Sequence, residues 1–341
     1  MNTWNEVYAS AKAKCKKCHC CPVCDGRSCR GFTPGPGGKG SGSAFVRNAE
    51  MLKKILIQMD TITSNEEIQT SSDFFGHPVS LPVYAAPISG ILQNYGADLS
   101  DLDYTKALVQ GCIDANTIAF TGDGMYDDMF LDPLHILEEH HGYGVPTIKP
   151  WLFDNMKWRI ESSNQANVLA VASDIDASGL TNLRNSVTPV GFKSVEDLKE
   201  IKSMLHVPFI LKGILSVNGA CKALEAGADG IIVSNHGGRV LDDSPSGIEM
   251  LEAIVKAVGG KMKIFVDGGF RSGNDVFKAL ALGADGVLIG RPVSHAVIGD
   301  GAEGVSIYMK KIQLELKEAM AMSGCKTIQD ITRDKVIVTY E

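Results

Sequence analysis

No run of about 18 apolar residues occurs in the 341-residue sequence, so no helix is expected to span a membrane. Positive charge is in deficit: 33 Lys and Arg face 40 Asp and Glu, a net charge of -7. That balance argues against a general nucleic-acid or anionic-membrane binder. The start of the chain has no apolar stretch leading to a small-residue cleavage site, so secretion is not expected and a cytoplasmic location is. Outside one cluster cysteine is scarce. Six of the nine lie between Cys15 and Cys29, which makes them a local device and not a disulfide framework for the whole fold. What is present, 44% hydrophobic and 21% charged residues, describes a soluble globular protein with ample core.

The most informative stretch is written twice. Phe209-Ile-Leu-Lys-Gly213 returns 56 positions later as Phe265-Val-Asp-Gly-Gly269, and Asn218 and Lys222 return as Asn274 and Lys278. Ala223-Leu-Glu-Ala-Gly-Ala-Asp-Gly230 returns as Ala279-Leu-Ala-Leu-Gly-Ala-Asp-Gly286. Each copy reads as buried strand, turn, amphipathic helix, turn and second buried strand, the pattern of parallel strands joined by crossovers. One unit takes about 28 residues, so eight fit in roughly 225, near the size of an eight-fold barrel.

Short apolar runs that end on polar or glycine residues supply the eight strands: Val83–Ala86, Thr117–Phe120, Thr147–Lys149, Val168–Ser173, Phe209–Leu211, Gly230–Val233, Ile264–Val266 and Gly286–Ile289. The expected fold is therefore α/β, a (β/α)8 TIM barrel over residues 45–341 behind a short Cys-rich and Gly-rich segment, residues 1–44. Residues 5–14 read as a short helix with Asn5 as its cap, Ala49–Met59 as an amphipathic stretch, Gly76–Pro82 as part of a hairpin or entry loop, and 301–323 as a closing helix. The tail 326–341 is expected to pack beside that helix.

In the N-terminal segment, Cys15, Cys18, Cys21 and Cys24 are spaced by three, and Cys29 follows. Two-residue gaps let paired thiolates reach one ion, in zinc sites and in iron–sulfur clusters alike. Cys18, Cys21, Cys24 and Cys29 are the preferred ligands, because turns at Pro22 and Gly26 would curl the chain around the ion. A reduced thiol-rich arm, or cysteines that pair on oxidation, is the plainer reading. The Gly-rich stretch 31–43 is a linker by composition, with a phosphate wrap or an active-site cover as alternatives. It lacks the Gly-x-x-x-x-Gly-Lys-Ser/Thr pattern of a P-loop.

Barrel chemistry gathers beyond the C-terminal strand ends. There the sequence offers Lys212 after the fifth strand and Ser234-Asn-His-Gly-Gly-Arg239 after the sixth. Asp267-Gly-Gly-Phe-Arg271 and Gly290-Arg291 follow the last two. A histidine exchanges protons near neutral pH, an arginine fork suits a carboxylate, and arginines beside glycine turns on the last two strands suit a phosphate. A phosphorylated cofactor beside a carboxylate substrate follows.

These motifs, with Leu282-Gly-Ala-Asp-Gly-Val-Leu-Ile-Gly-Arg-Pro292, resemble the FMN-dependent α-hydroxy-acid oxidases and dehydrogenases, strongly over about residues 195–335. The resemblance implies FMN, a small lactate-like 2-hydroxy acid as substrate, oxygen or another electron acceptor, and a homo-oligomer, often a tetramer. It makes His236 the base, Lys212 the cation at the flavin edge and Arg239 the carboxylate ligand. Ala86, Pro87, Ser234, Asp267, Gly268, Gly269, Arg271, Gly290 and Arg291 join Lys212 as cofactor contacts. Asp174 is then the group that orients the base.

Two departures stand out. Lys149-Pro-Trp151 replaces the family's Gln and Tyr, and no second arginine follows Asp174. Lys149 is the candidate replacement cation for the substrate. An FMN enzyme of related fold, such as a type 2 isopentenyl diphosphate isomerase, is the second reading, and a metal- or redox-sensing flavoprotein the third.

Overall fold

The computed structural model describes residues 3–340, without the side chain of Thr181. Eight parallel strands form a TIM barrel: β1 (Val83–Ala85), β2 (Phe120–Thr121), β3 (Val145–Ile148), β4 (Val171–Asp174), β5 (Phe209–Ile214), β6 (Gly230–Val233), β7 (Lys263–Asp267) and β8 (Gly286–Ile289). Neighbours pair in chain order from β2 to β8, and β8 pairs β1. Between β1 and β2 the seam closes through a single bridge, Ala85 to Ala119.

The two copies of the repeat, β5 to β6 and β7 to β8, fold alike. Ser216 and Ser272, 56 residues apart, each cap the helix that follows, accepting from Gly219 N–H and Asp275 N–H. The aspartate of each Gly-Ala-Asp-Gly turn fixes the start of a strand: Asp229 accepts Phe209 N–H at 2.7 Å, and Asp285 accepts Ile264 N–H at 2.8 Å.

The first strands depart from expectation. β2 is confined to Phe120–Thr121, because the preceding residues bond irregularly to β1: the Thr117 hydroxyl donates to Val83 O, and Ile118 O accepts Ala85 N–H. β3 starts two residues early, at Val145, and ends before Lys149, whose N–H is given to the Asp123 carboxylate.

Inside the barrel a ring cluster fills the N-terminal end. Strands Ser72–Phe74 and His77–Val79 form the expected hairpin, which inserts Phe74 among Tyr84, Phe120 and Phe265 at centroid distances of 5.0, 6.0 and 5.6 Å. The barrel is thus plugged at one end and open only at the strand C-termini.

The amphipathic stretch Ala49–Met59 divides: its first part ends helix Ser43–Lys53, and Ile55–Ile57 pairs antiparallel with Val336–Val338 in the tail. Thr3, not Asn5, caps helix Trp4–Lys14, in a reciprocal box with Glu6. The closing helix is longer than expected, Arg291–Met322, with non-helical Asp300 and Gly301 dividing it. Helix Trp4–Lys14 packs against it so closely that a Cβ on Gly299 would sit 2.3 Å from Val7 O.

The stretch 31–43 is not a free spacer. Gly35 O accepts from Arg239 at 2.6 Å, Pro36 O from Arg291 Nε at 3.0 Å, and Lys39 N–H donates to Gly238 O at 2.8 Å. It is a cover laid on the loops after β6 and β8. No helix among the described residues is long and apolar enough to cross a membrane.

Replacing Phe74 by Ala should empty the plug and cost about 3–5 kcal/mol. Urea unfolding followed by circular dichroism checks this, and an unchanged midpoint would show that the hairpin is not part of the core.

Candidate active site

The open end of the barrel holds a cavity of about 460 Å³. Nearly every site residue expected from the sequence lines it: Ala86, Pro87, Lys149, Lys212, His236, Arg239, Asp267, Gly268, Gly269, Arg271, Gly290 and Arg291. Asp174 and Ser234 stand behind the wall, 2% and 1% exposed.

Asp174 is the centre of a charge network. It pairs with Lys149 Nζ and lies 3.2 Å from Lys212 Nζ and 3.4 Å from His236 Nδ1. Lys212 also reaches Asp267 at 3.5 Å and donates to Ser234 Oγ at 3.3 Å. Burial alone would raise the Asp174 carboxyl, yet His236, Lys149 and Lys212 hold it well below the usual carboxylate range. Burial would likewise lower the Lys212 ammonium, and Asp174, Asp267 and Asp176 more than reverse that, so Lys212 stays charged.

Sequence reasoning passed over Asp176. It sits on the 3-10 turn Ile175–Gly179, crosses above Gly213 and meets His236 Nδ1 at 3.0 Å, closer than Asp174. Burial, together with the Asp174 charge, raises its carboxyl, with His236 opposing. A Cβ at Gly213 would sit 2.3 Å from the Asp176 carboxyl carbon, so glycine is needed there to admit the carboxylate. An ionised carboxylate only accepts, so Nδ1 carries the imidazole proton and Nε2 is the basic nitrogen. The Asp-x-Asp spacing after β4 was the available signal.

The loop that carries His236 is held from above. His236, Gly237 and Gly238 all have left-handed φ, +57°, +63° and +76°. A Cβ on Gly238 would lie 2.5 Å from Phe45 N, and one on Gly237 2.9 Å from Arg291 Nη1. The paired glycines therefore admit the helix Ser43–Lys53 and the Arg291 guanidinium. Asn48 of that helix and Asn235 exchange amide hydrogen bonds at 2.8 and 3.0 Å in the interior. Neither asparagine was a candidate from sequence.

The β3 loop has its own anchor. Buried Asp123 accepts from Lys149 N–H and Trp151 Nε1 at 2.9 and 2.6 Å, and Arg159 stands 3.5 Å away, stacked on Trp158. Burial raises the Asp123 carboxyl, while Arg159 and these donors lower it.

The candidate substrate cations have partners already. Lys149 is paired with Asp174, and Arg239 donates to Gly35 O and to Asn94 Oδ1 at 3.1 Å. Burial and the neighbouring Arg291 lower Arg239 to about 10.

Two buried polar atoms of cavity-lining residues have no hydrogen-bond partner among the described residues: Asp267 Oδ1 and Arg271 Nε. Unsatisfied groups are costly inside a protein. A bound molecule rich in hydrogen-bonding groups would satisfy them, and the Arg271 and Arg291 cations beside glycine turns suit its phosphate. The donor set fits FMN.

Among the described residues, Cys18, Cys21, Cys24 and Cys29 do not converge; the thiols that gather with a histidine are Cys18 and Cys20, with His295. Cys24 Sγ lies 3.6 Å from Arg271 Nη2, Cys29 Sγ contacts the Gly26 and Pro36 carbonyls, and Cys21 O accepts from Tyr8. A shared thiol hydrogen bond and burial push Cys18 up to about 12.

The sequence model of the FMN-dependent dehydrogenases matches residues 151–338, more than half of the chain. This chain belongs to that family. A 4-hydroxymandelate oxidase of Amycolatopsis orientalis is 30% identical over 338 residues, covering 89% of this chain and 94% of that enzyme. A peroxisomal (S)-2-hydroxyacid oxidase of Arabidopsis thaliana is 50% identical over 143 residues, 42% of this chain but only 39% of its own length. An L-lactate oxidase of Roseobacter sp. (strain GAI101) is 50% identical over 141 residues, 41% of this chain and 38% of the enzyme. Among solved structures, mandelate oxidase with benzoyl-formic acid superposes with a TM-score of 0.78 at 28% identity, covering 98% of this chain and 97% of that one. The cavity residues are compatible with the family's FMN, and Asp176 adds a second carboxylate beside His236.

The depressed Asp174 carboxyl stabilises the fold fully above the unfolded value of about 3.9, and that contribution is lost as pH falls through its lower folded value. Asp174→Asn should cost about 3–5 kcal/mol at neutral pH, since it strands two buried cations. The gap between variant and parent should shrink below about pH 4. Denaturant midpoints across pH measure this, and a gap that widens in acid would refute it.

Proposed function

We propose that this chain is an oxidoreductase that converts a small 2-hydroxy acid to the 2-oxo acid, with residues 45–341 as the catalytic barrel and residues 1–44 as its cover. The observation that carries the reading is His236, backed by two buried carboxylates and neighboured by Lys212, at the mouth of a cavity whose wall holds unpartnered polar atoms.

FMN, when bound, supplies a two-electron acceptor for the substrate α-hydrogen. The chain's own residues do the rest. His236 Nε2 takes the substrate hydroxyl proton while Nδ1 keeps its hydrogen bond to Asp176. Asp174, held ionised beside His236 Nδ1, stabilises the proton that the imidazole gains. Lys212 offers positive charge where electron density builds up. Ala86, Pro87, Gly268, Gly269, Gly290 and the two arginines would hold the cofactor.

Arg239 and Lys149 receive the substrate carboxylate in this reading, each giving up part of a contact made within the protein. Met125, Met129, Leu180 and Leu183 line the same cavity, which suits an apolar substituent on the acid. FMN held by these residues would give the electrons a route to oxygen or another acceptor, and zinc or an iron–sulfur cluster on the N-terminal thiols belongs to the same proposal. A homo-oligomer in the cytoplasm completes it, in keeping with nine free cysteines.

Purified protein should be yellow. Anaerobic mixing with lactate, glycolate, mandelate and longer 2-hydroxy acids should bleach it with at least one of them; bleaching by none would sink the reading. His236→Asn should keep the colour and slow bleaching about 10²–10⁴-fold. Lys149→Ala should weaken substrate affinity by about 1–3 kcal/mol; unchanged affinity would remove Lys149 from the substrate site.

A further inference from the structure

The proposed redox chemistry has no use for the thiol-rich strap, yet the fold holds that strap tightly. Lys17 and Cys18 donate their N–H groups to Tyr95 O at 2.9 and 3.2 Å, which pins the segment to the loop after helix Ile91–Tyr95. Ser10 Oγ and Lys14 Nζ donate to Gly299 O at 2.8 and 2.9 Å, which docks the preceding helix. Just beyond these anchors the chain turns sharply at Cys20, a non-glycine residue with φ of +42°. Such a conformation costs about 1–3 kcal/mol and persists where surrounding contacts impose it.

The turn brings Cys20 and Cys18 to His295, on the first half of the long helix. Cys18 Sγ lies 3.4 Å from His295 Nε2, and one ligand atom from each of the three residues falls within 4.8 Å of the others. His295 is 1% exposed, and among the described residues its Nδ1 has no hydrogen-bond partner, so the Cys18 thiol is the one hydrogen bond recorded for a buried imidazole. Tyr8 and Tyr95 present their rings to it edge-on at 5.3 and 5.7 Å. A thiol is a poor hydrogen-bond partner to justify burying an imidazole. A metal is a better one. Tetrahedral zinc, with bonds of about 2.3 Å to sulfur and about 2.0–2.1 Å to nitrogen, sets S···N separations near 3.5 Å. The Cys15 thiol is near enough to raise that of Cys20 and stands just outside the group of three.

We propose that Cys18, Cys20 and His295, with Cys15 as the fourth ligand, bind one zinc ion that staples the N-terminal cover to the barrel. The site is closed, with no position left for a substrate, so its role is structural. His295 lies one helical turn beyond Arg291, whose Nε holds Pro36 of the cover. The ion therefore ties the strap to the same helix that the Gly-rich cover rests on. Cys21, Cys24 and Cys29 stay outside it. The inference concerns the metal alone and stands apart from the reaction proposed above.

Full-length protein stripped of metal and reloaded with Zn²⁺ alone under reducing conditions should carry about one zinc per chain by plasma mass spectrometry. His295→Gln and Cys18→Ser should each lose nearly all of it, while Cys24→Ser and Cys221→Ser keep it. Reloading with Co²⁺ should give the visible d–d bands of tetrahedral thiolate coordination, absent in His295→Gln. Should the Gln variant fold poorly, His295→Cys should restore zinc through a fourth thiolate. Loss of zinc should also speed proteolytic cleavage within residues 15–43 several-fold. Full zinc in His295→Gln, equal loss in Cys24→Ser, iron with inorganic sulfide in place of zinc, or no metal after reloading would each overturn the proposal.

Discussion

A single buried carboxylate sets the geometry of the barrel mouth. Asp174, at the end of β4, draws Lys149 from the end of β3, Lys212 from β5 and His236 from beyond β6, and Lys212 passes the linkage on to Asp267 of β7. None of these charges would be tolerated alone at such depth, because desolvation exceeds what any one ion pair returns. Together they are mutually required, and their spacing fixes where five consecutive strand ends stand. The left-handed backbone of His236 is the local cost of that arrangement, held in place by the Phe45 backbone packed on Gly238 above and the carboxylates below.

A second layer keeps the loops from drifting. On one side Asp123 gathers the Lys149 N–H, the Trp151 indole and the Arg159 guanidinium; on the other the Asn48 and Asn235 amides lock the first helix of the barrel domain onto the histidine loop. Buried polar networks of this kind specify position when every member is satisfied.

The parts of this design that could be read from the sequence were those written in local pattern. The duplicated stretch gave β5 to β8 because each copy keeps the serine cap, the helix and the aspartate that pins a strand start. The residues at those strand ends all reached the cavity wall except Ser234, which stands just behind it. Lost to sequence reading were features made by distance or irregularity. β2 is two residues long, and its predecessors bond to β1 in no regular ladder, so no period could mark it. Asp176 was masked by Asp174, the residue the resemblance selected. Asn48 and Asn235 are 187 positions apart, and Cys18 and His295 are 277, so only the folded chain brings either pair together. The cysteine spacing suggested a self-contained loop site, whereas the residue that meets the thiols comes from the far end of the barrel.

The Gly-rich cover has a consequence for the order in which the molecule is made. Its carbonyls are held by Arg239 and Arg291, and its Lys39 by Gly238, all of which leave the ribosome some two hundred residues or more after it. The cover therefore has nothing to settle on until the barrel is nearly closed. During that interval the mouth stands open to a molecule the size of a flavin nucleotide. The cover is, in assembly, a late piece, laid down only after the loops that hold it.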